Sequence, residues 1–234
     1  MHDDAHFFQV RVYNSDWAND VSPALHIERI GAEGEPPPHL DAGDLADSLE
    51  RAVHWVEKSA LYWNNYTRAA WKHATPNTVN PAKSTPGGAD NILYGTCFWQ
   101  LKADQAIVLE CEKPEAQYWN FCIHTIAWLE SGDFANRQVS LSGHQIHVDD
   151  DGRIRVVLSA RDPGVPNWID TEGRERGLLV FRWVWASNNP CPEARLVDVD
   201  AVAGLMPADH PRIDSAERGR RLATRRERLW SRYI

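Results

Sequence analysis

GLLVFRWVW, residues 177–185, is apolar on both faces of an extended chain. Leu178, Val180, Arg182 and Val184 share one side, and Leu179, Phe181, Trp183 and Trp185 share the other. A strand of this kind is buried on two sides, and only Arg182 interrupts it. An unpaired buried guanidinium is costly, so Arg182 needs a carboxylate such as Asp162 or Glu110, or an anionic ligand gripped in bidentate fashion.

Outward from this strand, further extended segments follow one another with turn residues between them. They are ILYGTCFWQL (92–101), QAIVLEC (105–111), QYWNFCIHTIAWL (117–129), HQIHVDD (144–150), RIRVVLS (153–159) and RLVDV (195–199). HFFQVRVY (6–13) and ALHIERI (24–30) also alternate as strands do. Asp149–Gly152 has hairpin chemistry, with glycine free to take a positive φ. Many short strands without intervening helices imply a mainly β protein, an antiparallel sandwich or barrel.

Two helices frame the strands. Over about 44–73, Leu45, Leu49, Ala52, Val53, Val56, Ala60 and Leu61 recur at helical spacing, with Asp41 or Asp44 able to cap the start. A second stripe, Trp55, Ser59, Tyr62 and Tyr66, predicts protein contacts on two sides of this helix. The other helix covers about 215–232, with Asp214 and Glu217 spaced as a capping pair. The economical organisation is one domain over 1–234, with strands and a helix in 1–74 leading into the sandwich proper.

Net charge is −8, which disfavours a nucleic-acid partner. The exception is the last helix, where seven arginines face two glutamates between 216 and 233. These arginines can dock on acidic surface in cis or join copies of the chain as a homo-oligomer. The four cysteines lack zinc-type spacing, the first residues lack a signal-peptide pattern, and no apolar run is long enough to span a membrane. A cytoplasmic protein without membrane contact is expected. Tryptophan is abundant at 11 copies, which suits cores and flat-ligand pockets alike.

TPGGADNILYG (85–95), QYWNF (117–121) and RDPGVPNWIDTEGRERGLLVFRW (161–183) resemble the bacterial family known as domain of unknown function 1214. The resemblance covers roughly residues 75 to 234, and DPGVPNW is its most specific part. It implies a jelly-roll β-sandwich and leaves function open, since the family is named for the lack of one. Some members carry an additional N-terminal domain.

Within the 161–173 loop, Pro163-Gly164 fits a type II turn, Trp168 offers an anchor, and Asp170 to Gly173 forms a second turn. The loop can therefore be scaffold. It can equally present Asp162 and Asp170 beside an indole, and if the 85–95 loop emerges at the same end, Asp90, Asn91 and Tyr94 join them. On 117–129, Tyr118, Asn120, Cys122, His124, Ile126 and Trp128 share one mixed aromatic and polar face. That composition suits a small-molecule pocket, with His124 as proton-transfer group.

No metal or other cofactor is expected. His144 and His147 would point to opposite faces of a strand, and no GxSxG elbow, P-loop or GxGxxG occurs. The expected function is metal-free acid–base chemistry (hydrolysis, elimination or isomerisation) on a largely apolar cyclic small molecule. His124, Asp170 and Asp162 would carry the catalysis; Arg182, Trp128, Trp168, Tyr118, Asn120, Asp90, Asn91 and Tyr94 would bind the substrate. The alternatives are a carbohydrate-like binding module and a structural or assembly protein.

Overall fold

The computed structural model describes residues 9–230 apart from 18, 29, 37, 38, 86 and 87. The long helix α1 (Ala42–His73) begins with a capping box, in which Asp41 accepts from the Asp44 N–H and Asp44 accepts from the Asp41 N–H. Strands β1 (Thr78–Lys83), β2 (Ile92–Gln100), β8 (Arg176–Ala186), β4 (Ala116–His124) and β5 (Ser140–Ser142) form one sheet in that order. The second sheet runs β7 (Trp168–Asp170), β6 (Arg153–Ser159), β3 (Gln105–Glu112) and β9 (Glu193–Asp198). All pairings are antiparallel except β6 with β7. A short helix α2 (Val202–Leu205) and the closing α3 (Ser215–Trp230) complete the chain. The architecture is mainly β, a sandwich of two sheets, as the strand pattern implied.

The two-sided reading of GLLVFRWVW holds as far as Val184, since β8 lies between β2 and β4. Trp185, at a positive φ of 48°, turns out and is 58% exposed. Leu179, Phe181 and Trp183 are fully buried against Phe121, Ile107, Ile154 and Leu158 of both sheets. The inner face is a chain of ring contacts, with Phe181 4.9 Å from Trp183 and Trp183 5.5 Å from Phe121. Burying each such side chain stabilises by about 1.5–3 kcal/mol. Rings of this size fit because glycines face them across the ladder, Gly95 opposite Phe181 and Gly177 opposite Trp99. A ring lies over each glycine where any side chain would collide with it.

Several segments depart from the sequence pattern. Residues 9–13 and 24–30 form no strand among the described residues; the 6–8 portion of the first lies outside them. Leu25, Ile27 and Ile30 are exposed, because alternation without a neighbouring ladder gives the backbone no partner. HQIHVDD is not a strand either, since Gln145 and Ile146 donate back to Ser142 in a turn. The Asp149–Gly152 turn does form, closed by the Gly152 N–H on the Asp149 carbonyl. β1 escaped notice because Pro81 sits in it, which an edge strand tolerates. The two predicted helices are present. Among the described residues, however, α1 meets the sandwich at its C-terminal end, through Thr67, Ala70 and Trp71, rather than on two sides.

Replacing Gly95 with alanine drives the new methyl into the Phe181 ring. A destabilisation of about 1–3 kcal/mol is expected, read as a lower urea midpoint. A variant as stable as the parent would mean that this close approach does not set the core.

Candidate functional site

The strand register gathers five of the sequence candidates on one surface. Tyr94 and Asn120 are the cross-strand partners of Arg182 on β2 and β4, and Tyr118 and His124 lie on the same side of β4, two and four residues from that level. These side chains point away from the second sheet, on the same face as Phe98, Leu178 and Val180, and α1 covers one end of that face through Trp71. Arg182 is half-buried, and its guanidinium lies 5.5 Å from the Tyr94 ring centroid. Neither internal carboxylate considered for it is available. Asp162 pairs with Arg218, and Glu110 pairs with Arg153 and Arg155. No carboxylate among the described residues reaches Arg182.

His124 ends β4, and the chain then enters a tight turn. Its Nδ1 is 2.9 Å from the Leu129 carbonyl oxygen. A carbonyl only accepts, so the proton sits on Nδ1 and Nε2 keeps its lone pair. Nε2 is buried and has no hydrogen-bond partner among the described residues; the same is true of Asn120 Oδ1 and Thr125 Oγ1. Burial lowers the His124 pKa below its ordinary value, the Arg182 charge pushes the same way, and the Leu129 carbonyl partly opposes them. The imidazole is therefore a neutral base near pH 7. Burial raises the Tyr118 pKa, and Arg182 offsets part of that rise.

The turn itself is strained. Ala127 has φ of 101° and Leu129 of 55°, in a region that residues with a Cβ rarely occupy. The Ala127 N–H donates to Oγ1 of Thr67 (2.8 Å), a residue that is 1% exposed on α1. Thr67 in turn donates to the Trp63 carbonyl. Strain of this kind costs about 1–3 kcal/mol and persists where surrounding contacts enforce it.

Between this turn, α1 and the start of β8 lies a cavity of about 1000 Å³. Arg68, Lys72, Arg174 and Arg176 line it against the single carboxylate of Glu175, with Trp71 and Thr125 in the wall. Arg176 lies over the Trp71 ring at 5.9 Å, and Arg174 is held by Glu172. Arg68 and Lys72 have no carboxylate partner among the described residues. They escaped sequence reading, although their i, i+4 spacing puts them on one side of a helix. Nothing in the sequence marks the backbone of Ala127.

The 161–173 loop has a different character. Gly164 takes the positive φ expected of it (73°), and its N–H donates to the Asp162 carboxylate. Both Asp162 oxygens accept from Arg218, which also donates to the Val165 carbonyl and lies over the Trp168 ring. Trp168 is buried, its indole N–H donating to Ser159, and it packs on the outer face of the second sheet with Val165 and Val202. Asp170 accepts from Arg137 and from the Glu172 N–H. The loop's carboxylates are thus engaged in holding its shape.

Asp90 and Asn91 do not converge with them. They precede β2, whereas Asp170 lies level with Ser159 at the end of the sandwich where β2 finishes and β3 begins. The length of β2 separates the two loops. Trp128 lies on the strained turn but is 56% exposed.

One His/Asp cluster was not foreseen, because His210 is remote in sequence. Donor atoms of His147, Asp149 and His210 lie within 4.8 Å of one another. His210 Nδ1 is only 2.6 Å from Asp149 Oδ1, and the other Asp149 oxygen is 2.6 Å from the Arg155 guanidinium. Asp149 is shared with Arg155, and His210 Nδ1 is turned to it, while His210 Nε2 keeps a lone pair with no partner among the described residues. The group is a buried hydrogen-bonded tie between β6 and the 207–213 segment. The arginines of α3 are largely used in cis. Arg218 holds the loop, and the buried Arg225 donates to the Phe134 and Ser140 carbonyls.

In fold and site this is a two-sheet β protein with a cationic cavity beside a strained turn. It is similar to the crystal structure of an uncharacterized protein from Burkholderia cenocepacia, with 32% identity and a TM-score of 0.67 over 75% of this chain. The chain spans about half of that protein's length (49%). The VPA0106 protein from Vibrio parahaemolyticus matches at 17% identity and a TM-score of 0.35, over 52% of this chain and 30% of its own. No family model matches the sequence, and no curated protein does. No helix of the described residues is long and apolar enough to cross a membrane.

The histidine geometry has a measurable consequence. By ring-nitrogen NMR, His124 should titrate below the ordinary value of about 6.5, and Arg182→Gln should raise its midpoint by removing a nearby positive charge. Because the folded value lies below the unfolded one, the unfolded chain takes up the extra proton. This contribution to stability is complete above about pH 6.5 and is lost as the pH falls below it. A His124 midpoint at or above 6.5 would contradict the burial described for it.

Proposed function

We propose that this protein binds a small organic anion, a cyclic or aromatic carboxylate being the simplest case, in the cavity between α1 and the 124–129 turn. The observation that carries this reading is the excess of positive charge in that cavity: Arg68, Lys72 and Arg176 against Glu175, with Arg174 already paired with Glu172. A cavity of about 1000 Å³ matches the size usual for small-molecule sites. Trp71 supplies an apolar wall, and Arg68 a guanidinium able to grip a carboxylate with two donors. A neutral sugar would leave the cations uncompensated, so an anion is the better match.

Acid–base turnover is a second reading, favoured by His124. Its Nε2 lone pair is unpartnered and its pKa is lowered. The atom is buried and His124 does not line the cavity, so accepting a substrate proton requires the 124–129 turn to open. Asp162 and Asp170 have no part in this version, being held by Arg218 and Arg137.

Two finer assignments accompany the proposal. TPGGADNILYG and DPGVPNW support membership of the domain of unknown function 1214 family. A jelly-roll connectivity is supported by the adjacency of β2 and β8, near the two ends of the strand series, and by changes of sheet between β2 and β3 and between β3 and β4.

Saturation-transfer NMR with benzoate and phthalate tests the binding. Saturable binding is expected, absent for benzamide and weakened at least tenfold in the Arg68→Gln, Lys72→Gln double variant. Failure of both anions to bind, or binding that the double variant leaves unchanged, would refute the assignment. Consumption of a bound carboxylate by the parent but not by His124→Gln would mark the second reading as correct.

A further inference from the structure

α1 is 32 residues long, and among the described residues nothing covers most of its apolar side. Leu45, Leu49, Ala52, Val56, Ser59, Trp63, Tyr66 and Ala70 follow one another at alternating spacings of four and three, the a/d repeat of a helix-pairing seam. The flanking e and g positions are also uncharged, among them Val53, Trp55, Ala60 and Tyr62. Leu49 is 60% exposed, Val56 58% and Trp55 69%. Among the described residues, only the last turns of α1 meet the sandwich, through Thr67, Ala70 and Trp71. Apolar surface so continuous marks an interaction site.

The charges identify the occupant. In the first half of α1 (42–57), Asp44, Asp47, Glu50 and Glu57 stand against Arg51, a net of −3. The second half (58–73) carries Lys58, Arg68 and Lys72 with no acidic residue, a net of +3. The midpoint of the helix, between Glu57 and Lys58, divides the two signs. These charges occupy the b, c and f positions outside the apolar seam, so they act through the field along the helix rather than by contact. A second α1 laid antiparallel sets each acidic half against a basic half and opposes the helix dipoles. A parallel partner would place like charges together along the whole length. Antiparallel pairing about that midpoint also sets Ala52 level with the partner's Trp63 and Val56 level with the partner's Ser59, small residues beside large ones.

We propose that α1 is a homodimerisation helix: two copies of this chain pair through antiparallel α1 helices, their dyad between Glu57 and Lys58. The contact is separate from α3, whose arginines are used within the chain, and it does not depend on the ligand proposed for the cavity.

Size-exclusion chromatography with light scattering on the full chain should give twice the 26.6 kDa monomer mass. The Leu49→Glu, Val56→Glu double variant should give the monomer mass with an unchanged near-ultraviolet signal from the buried tryptophans. A parent chain that is monomeric, or a dimer that survives the double substitution, would overturn the proposal. Direction is read by spin-label distances in a Cys191→Ser background, where the remaining thiols are buried and burial pushes Cys97 and Cys111 up to about 12 and Cys122 up to about 11. Labels on Lys58→Cys should lie close to their mates. Labels on Asp47→Cys should be displaced by about 32 Å along the axis, at 1.5 Å per residue. Short distances at both positions would mean parallel helices and defeat the antiparallel assignment.

Discussion

Strand β8 is the constraint on which the sandwich depends. It is the middle strand of its sheet, so its inner side must fill the space between the sheets while its outer side meets whatever covers them. Phe181 and Trp183 do the first through contacts with Phe121 and Trp119. The rings fit only because Gly95 and Gly177 carry no side chain beneath Phe181 and Trp99. The outer side places Arg182 in the same register as Tyr94 and Asn120. A half-buried charge in a central strand has no route to solvent by slipping, since a one-residue shift would turn every ring outward. The packing that builds the core therefore also fixes the position of the cation.

Much of this was legible in the sequence because alternation and two-sided apolarity report burial directly. β2, β3, β4, β6, β8 and β9 were all readable, as were both principal helices and the Asp41 and Asp214 caps. What misled was alternation without a partner. Val10, Val12, Leu25 and Ile27 have the composition of strand residues, yet no ladder reaches them. A strand is a property of two segments, and the sequence of one cannot supply the other. The grouping of Arg182, Tyr94, Tyr118, Asn120 and His124 was half-legible for the same reason. Which residues shared a face of one strand could be read, but cross-strand neighbours could not.

The 161–173 loop and the 124–129 turn illustrate two uses of irregular backbone. The loop is rich in turn residues that support its own shape. Gly164 takes the positive φ, Asp162 accepts from Gly164 and Arg218, and Trp168 covers the second sheet. Its specified sequence reflects self-sufficiency. The turn is held in unfavourable geometry at Ala127, a residue with no intrinsic preference for it, by a hydroxyl from a distant helix. Specified composition marked the first segment and nothing marked the second. Two buried polar atoms at the turn, His124 Nε2 and Thr125 Oγ1, have no partner among the described residues, as against Thr171 Oγ1 alone in the loop.

The dual placement of α1 follows from the same contacts. Its last turns supply Thr67 to the strained turn, Trp71 to the sheet, and Arg68 and Lys72 to the cavity wall. Its first turns make no core contact with the sandwich among the described residues. A helix anchored at one end has an orientation set by few contacts, and the shape of the cavity depends on that orientation. Under the proposed pairing, the free end is clamped by the partner's helix. The wall carrying Arg68 and Lys72 would then be held by contacts in both copies. Dimerisation and cavity geometry would be coupled through a rigid helix, with Thr67 as the point where the lever meets the site.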